Sequence, residues 1–264
     1  MKKYLALIMA LGIIIALAAC GKTAAPAVTV PPAATEAPAT EEPKAEEPAV
    51  EETAAVTNYA DFVAADADSP VKIDAYVQAK LSWWDNKASI YAADKDGAYF
   101  LYDAACSEAD YAKLVPGQKI SFQGYKAVWS GEVEVTDANF EILEGDSYIS
   151  KPIDITAMLG SDELESLMNQ AISVSDATVA DKGDGAAFFY NWDNSGEDGN
   201  CDLYFDVDVN GGTYTFVVRR YLTAPGSEVY EAVKNLKVGD KVEIEGFLYW
   251  YEGPQPHITS IVVK

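Results

Sequence analysis

Leu114-Val115-Pro116-Gly117-Gln118-Lys119-Ile120 returns 122 residues later as Leu236-Lys237-Val238-Gly239-Asp240-Lys241-Val242. The two stretches share the pattern Leu-x-x-Gly-x-Lys-apolar. In each, a second glycine follows seven residues after the first, at Gly124 and Gly246. The first glycine suits the left-handed stop of a short helix. The second suits a strand that must bend. A motif repeated at this separation divides the chain into two copies of one unit.

The segments around each copy agree. In the first half Asn58 can cap a short helix carrying Tyr59, Phe62 and Val63. Period-two stretches then predict strands over Val71–Ser82, Ala88–Ala93 and Ala98–Ala104, the last two joined by the turn Asp94-Lys95-Asp96-Gly97. Ser107 and Asp110 form a capping-box signal, and strands over Lys119–Val128 and Glu132–Leu143 follow. In the second half a helix is expected over Asp162–Ala171, with Leu164, Leu167, Met168 and Ala171 on one face. Strands over Ile172–Ala180, Leu203–Val209 and Thr213–Tyr221, a short helix through Val229, Val233 and Leu236, and strands over Lys241–Tyr249 and His257–Val263 complete it. Asn210-Gly211-Gly212 is a hairpin turn between the middle two.

Three strands, a helix and two strands is the connectivity of the OB-fold, a small five-stranded barrel. The expected fold class is therefore mainly β: two tandem OB-like barrels with short helices, at 57–146 and 147–264. A single larger β-sandwich is the alternative. At fold level the arrangement is similar to exported bacterial OB domains and to tandem-OB lipoproteins, a resemblance that transfers no catalytic residue.

The amino terminus reads differently. Lys2 and Lys3 precede an apolar run from Tyr4 to Ala19, too short for a membrane span and suited to an export signal. Its end, Leu17-Ala18-Ala19-Cys20-Gly21, resembles the lipobox of bacterial lipoproteins. That resemblance implies removal of residues 1–19, lipidation of Cys20 and a membrane-anchored location facing outside the cytoplasm. Residues 20–56 hold six of the twelve prolines, no aromatic residue and many Ala, Thr and Glu. Such a segment cannot bury enough apolar surface to offset its ordering entropy, and reads as a disordered tether.

Charge narrows the function. The chain carries 42 acidic against 19 basic side chains, and residues 57–264 carry 35 against 15. A fixed negative field repels phosphate backbones, so nucleic acid is not expected as a partner. The only arginines, Arg219 and Arg220, fall on a predicted strand and so point to opposite faces, unable to clamp one phosphate.

No catalytic constellation emerges. Cys106 and Cys201 read as two buried free thiols, and the single histidine, His257, as a surface residue at a strand end. Neither a metal site nor a cofactor is expected: Asp193–Gly199 resembles a calcium loop but lacks the glutamate at its twelfth position. The aromatics are more informative. OB barrels bind ligands across strands two and three and at the loops joining strands one to two and four to five. Trp83 and Trp84 fall in the first such loop, Trp129 in the second, and Tyr249, Trp250 and Tyr251 in the corresponding loop of the second half. Their flat apolar faces suit stacking or packing between barrels. The expectation is a non-enzymatic binding module for a glycan, wall fragment or protein ligand. An accessory subunit of an envelope complex is the alternative, with single-stranded nucleic-acid binding or a metal-dependent nuclease ranked below. Oligomeric state is not legible.

Overall fold

A computed structural model describes residues 54–264. The leader, Cys20 and nearly all of the expected tether lie outside the described residues. Val56, assigned to the tether by composition, already belongs to the fold. It bridges Val71, with its N–H donating to Pro70 O at 2.8 Å.

The first barrel comprises β1 (Pro70–Lys80), β2 (Lys87–Ala93), β3 (Ala98–Ala105), β4 (Lys119–Trp129) and β5 (Glu132–Ile142), closed in the order β1-β2-β3-β5-β4. β3 and β5 are parallel, and the other neighbours are antiparallel. Helix α1 (Tyr59–Ala64) precedes β1, with Asn58 Oδ1 accepting the Asp61 N–H at 2.9 Å. Helix α2 (Glu108–Tyr111) sits between β3 and β4, capped by Ser107. Alternation along β1 sends Val71, Ile73, Ala75 and Val77 into the barrel, and Phe122, Ile90 and Leu101 meet them there.

The second barrel repeats this plan. β6 (Ile153–Asp154) leads into β7 (Ala171–Val179); β8 (Phe188–Tyr190), β9 (Leu203–Val209), β10 (Gly212–Val218), helix α3 (Glu228–Lys234), β11 (Lys241–Phe247) and β12 (His257–Val263) follow. The order β7-β11-β12-β10-β9 is closed by the β7–β9 pairing, while β6 and β8 are additions at its margins. Its core holds Phe205, Phe216, Tyr230, Ile244 and Ile258. The tandem OB-like architecture is thus present, and the sandwich alternative is excluded by two separate closures.

The repeated glycines act as expected. Gly117 and Gly239 hold φ of 87° and 93°, the left-handed region that stops the turn before β4 and β11. A Cβ on Gly124 would lie 2.6 Å from Thr136 O, and one on Gly246 would lie 2.3 Å from His257 O. Both sit at register shifts, where one strand bends closely over its neighbour.

Two expected elements differ. The helix over Asp162–Ala171 is a 3-10 turn limited to Asp162–Leu167. Asn169 is drawn out to bond Leu248 O and Ala171 begins β7, so tertiary contacts override the local periodicity. Strand β10 stops at Val218, which leaves Arg219 and Arg220 in the following turn and removes the opposite-faces argument.

A third apolar cluster joins the barrels. Tyr91 (β2), Phe100 (β3) and Phe247 (β11) are buried together, with Leu81, Leu222 and Tyr249 against them. His257 is buried here too, its Nδ1 sharing a 2.8 Å hydrogen bond with Tyr91 Oη. The surface reading of this histidine is corrected: the strand end it occupies is covered by the other barrel. Burial, and then the Arg219 charge, hold its imidazole well below the usual histidine range. Cys106 and Cys201 are both free and buried.

Candidate functional site

The surface that OB barrels offer to ligands is not free in the first barrel. The outward side chains of β2 and β3 include Tyr91 and Phe100, and Phe247 and Tyr249 of the second barrel cover them. In the second barrel the corresponding face is polar and self-satisfied. Thr215 Oγ1 donates to Asp206 Oδ1 at 2.7 Å, Thr213 Oγ1 donates to Asp208 Oδ1 at 2.5 Å, and Lys182 pairs with Asp206 at 2.7 Å.

What remains open is a groove along the seam, with a volume of about 460 Å³. Trp83, Trp84, Tyr102 and Tyr221 line it with Arg219 and Asp103. Asp85 and Asn86 both have positive φ (46° and 58°), the signature of a two-residue turn that matches strand twist. This turn leaves the Trp84 side chain 58% exposed, with its backbone bridged to Lys87. Trp83 faces inward, its Nε1 donating to Cys106 O at 2.8 Å. Tyr102 is the outward, exposed residue of β3 beyond Phe100. Across the seam, Ser82 N donates to Tyr221 O at 2.6 Å and fixes the two walls together.

Arg219 supplies the groove's cation. Its Nη1 is paired with Asp202, and its buried Nε has no acceptor among the described residues. Arg220 is spent on Asn200 and on the Tyr221 hydroxyl, with its guanidinium 4.5 Å from the Tyr221 ring centroid. Asp103 provides a carboxylate, 3.7 Å from Lys87 Nζ.

The six aromatics expected in the rim loops of the two barrels divide three ways. Trp83 and Trp84 enter the groove. Trp129 and Tyr251 lie outside it, 52% and 42% exposed, with ring centroids 5.3 Å apart where the two four-to-five loops meet. Tyr249 and Trp250 are used in packing: Tyr249 stacks on His257 at 4.2 Å, and Trp250 lies over Gly131. Sequence reasoning missed Tyr102, Arg219 and Tyr221. Tyr102 continues the outward series of Phe100 on β3, a readable signal. The other two depended on where β10 ends.

A second cleft, of about 620 Å³, is lined by Phe62, Val63, Val133, Met168 and Lys126. Lys126 Nζ donates to Phe62 O, Val63 O and Ala65 O at 2.8, 3.0 and 2.6 Å, which uses all three of its protons. That cleft keeps no free cation. Among the described residues no group of three His, Cys, Asp or Glu could hold a metal, and no helix is long and apolar enough to cross a membrane.

No protein-family model matches the chain, and no curated protein matches it. The chain is similar to several solved structures. A murine DNA-binding protein bound with dsDNA has 12% identity and a TM-score of 0.35, covering 73% of this chain and 94% of its own. The HINa domain of Ifi202 in complex with 20bp dsDNA has 12% identity and a TM-score of 0.32, covering 75% and 96%. The single-stranded DNA-binding protein from Thermus aquaticus, as a deletion mutant, has 13% identity and a TM-score of 0.26, covering 74% and 93%.

The expectation is corrected on one point: DNA, excluded as a partner on charge, is what the descriptions of these solved structures name as bound by those proteins. The physical fault lay in reading net charge as if it were local. Acidity summed over the chain does not describe a groove lined by one guanidinium and one carboxylate, Arg219 and Asp103.

Proposed function

We propose that the chain is a non-catalytic binding protein that takes a nucleobase-bearing ligand, a nucleotide or short single strand, by stacking in the seam groove. One observation carries this reading: Trp83, Trp84, Tyr102 and Tyr221 line one groove together with Arg219. Aromatic stacking contributes roughly 1–3 kcal/mol per base and tolerates any base, since each has a π-face. Asp103 and Arg219 offer an acceptor and a donor to the edge of a stacked ring. The charge that surrounds the groove limits the ligand's length. With 35 acidic against 15 basic side chains over 57–264, the molecule favours one or two nucleotides over a long duplex.

Tryptophan fluorescence during titration with a mononucleotide and a short oligothymidylate tests this. Saturable quenching is expected, weakened about tenfold or more in Trp84→Ala by the stacking magnitude above. Log affinity should fall with log salt at a slope of about one, the value for one neutralised phosphate. Absence of saturation, indifference to Trp84→Ala, or saturation by an oligosaccharide in place of either probe would remove the reading.

A further inference from the structure

Tyr102 and Asp103 are consecutive in β3, where neighbouring side chains ordinarily face opposite sides. Both nevertheless line the seam groove. The register explains it: Ala88 pairs with Ala104 and Ile90 with Leu101, so Ser89 alone faces both Tyr102 and Asp103. A bulge of this kind re-aims a side chain. Asp103 takes a φ of 48°, a left-handed value that aspartate tolerates, and its N–H donates to Ser89 Oγ at 3.1 Å.

The bulge fixes the carboxylate but leaves it weakly partnered. Oδ1 lies 3.5 Å from Ser89 Oγ, and Oδ2 lies 3.7 Å from Nζ of the half-exposed Lys87, both beyond the normal hydrogen-bond range. The same Nζ lies 6.0 Å from the Trp84 ring centroid, which puts carboxylate and ring at one end of the groove. Arg219, the groove's donor, already serves Asp202 through Nη1, so Asp103 is the less committed of the two. A carboxylate accepts hydrogen bonds and does not give them, so its partner must present N–H groups.

We infer that Asp103 selects the base by accepting two adjacent N–H donors of guanine, so that the groove prefers a guanine nucleotide to a thymine or uracil one. This rests on the stacking reading and adds recognition of the base's edge, since stacking alone tolerates every base. Guanine carries N1–H and N2–H side by side, spaced to meet the two oxygens of one carboxylate. Thymine and uracil offer one N–H between two carbonyl oxygens, which a carboxylate repels. Adenine and cytosine offer one amine beside a ring nitrogen that is itself an acceptor. A good bidentate contact discriminates between bases by roughly 5- to 150-fold.

Calorimetric titration of the full chain with deoxyguanosine, deoxyinosine and thymidine monophosphates tests this, because the three share sugar and phosphate. The guanine nucleotide should bind about tenfold or more tighter than the thymine one, with hypoxanthine, which lacks the N2 amine, between them. Asparagine also tolerates a left-handed backbone, so Asp103→Asn keeps the bulge and exchanges an acceptor for a donor. That variant should weaken the guanine nucleotide and strengthen the thymine one, closing or reversing the gap. Equal affinities in the native chain, or a guanine preference that survives Asp103→Asn, overturn base selection and leave stacking standing. Absence of saturation by all three overturns both. Should Asp103→Asn fail to fold, the native guanine-to-hypoxanthine ratio decides: about fivefold or more supports the selection, and a ratio near one overturns it.

Discussion

The Tyr91 ring lies flat on Phe247, with centroids 4.3 Å apart and planes 9° from parallel. Tyr91 belongs to β2 of the first barrel and Phe247 ends β11 of the second. The contact therefore closes off the strand-two and strand-three surface through which a lone OB barrel meets its ligands. Trp84, Tyr102 and Tyr221 line the open groove along the same seam. The same contact puts side chains of both barrels into one apolar cluster.

Phe247→Ala should uncouple the barrels. Removing a buried aromatic ring costs about 3–5 kcal/mol, and here the loss falls on the shared cluster and spares both barrel cores. Chemical denaturation followed by far-ultraviolet and near-ultraviolet signals should change from one coincident transition to two. A single transition merely shifted to lower denaturant would contradict the claim.

The two groove tryptophans should separate by variant. Trp84→Ala should leave stability within about 0.5 kcal/mol, as for exposed surface positions. Trp83→Ala should cost about 3 kcal/mol or more, because its half-buried ring packs on the first barrel core and orients Cys106 O. Equal losses in denaturation midpoint for both would show that Trp84 is structural.

Lys126→Met should free helix α1. It leaves three carbonyls at the helix end without their shared donor, at roughly 1–3 kcal/mol for the buried ones. Exchange of amides within Tyr59–Ala64 should quicken while those of β3 stay protected. Unchanged exchange in α1 would mean that Asn58 and the packing of Phe62 hold it alone.

Raising pH from 5 to 8 should lower the melting temperature of the native protein. Burial pushes Glu134 up to about 7 and Glu132 up to about 8, both above the ordinary glutamate value. The folded chain therefore binds two protons that the unfolded chain releases, against one that the unfolded His257 imidazole binds below pH about 6.5, so stability is lost on balance as pH climbs through this range. Calorimetry that finds a rising melting temperature over the same interval would rule out both shifts as dominant.

Much of this was legible in the residues. The Leu-x-x-Gly-x-Lys repeat, the Asp94–Gly97 and Asn210–Gly212 turns and the alternation along β1 depend on local backbone sterics and on one buried face, and the structure follows them. Even the covered face left a trace. Ala88-Ser89-Ile90-Tyr91-Ala92-Ala93 has no polar alternation, as a strand buried on both sides requires. What the linear chain could not supply was the identity of the covering surface. His257 looked solvent-facing, Tyr249 and Trp250 looked like rim residues, and Arg219 looked like part of a strand. The first three were decided by where the second barrel docks, and Arg219 by where β10 ends. Secondary structure and barrel closure arise from interactions between residues near in sequence or repeated in register. The seam depends on side chains more than a hundred positions apart, such as Tyr91 with His257 and Glu132 with Trp250, whose meeting no spacing encodes.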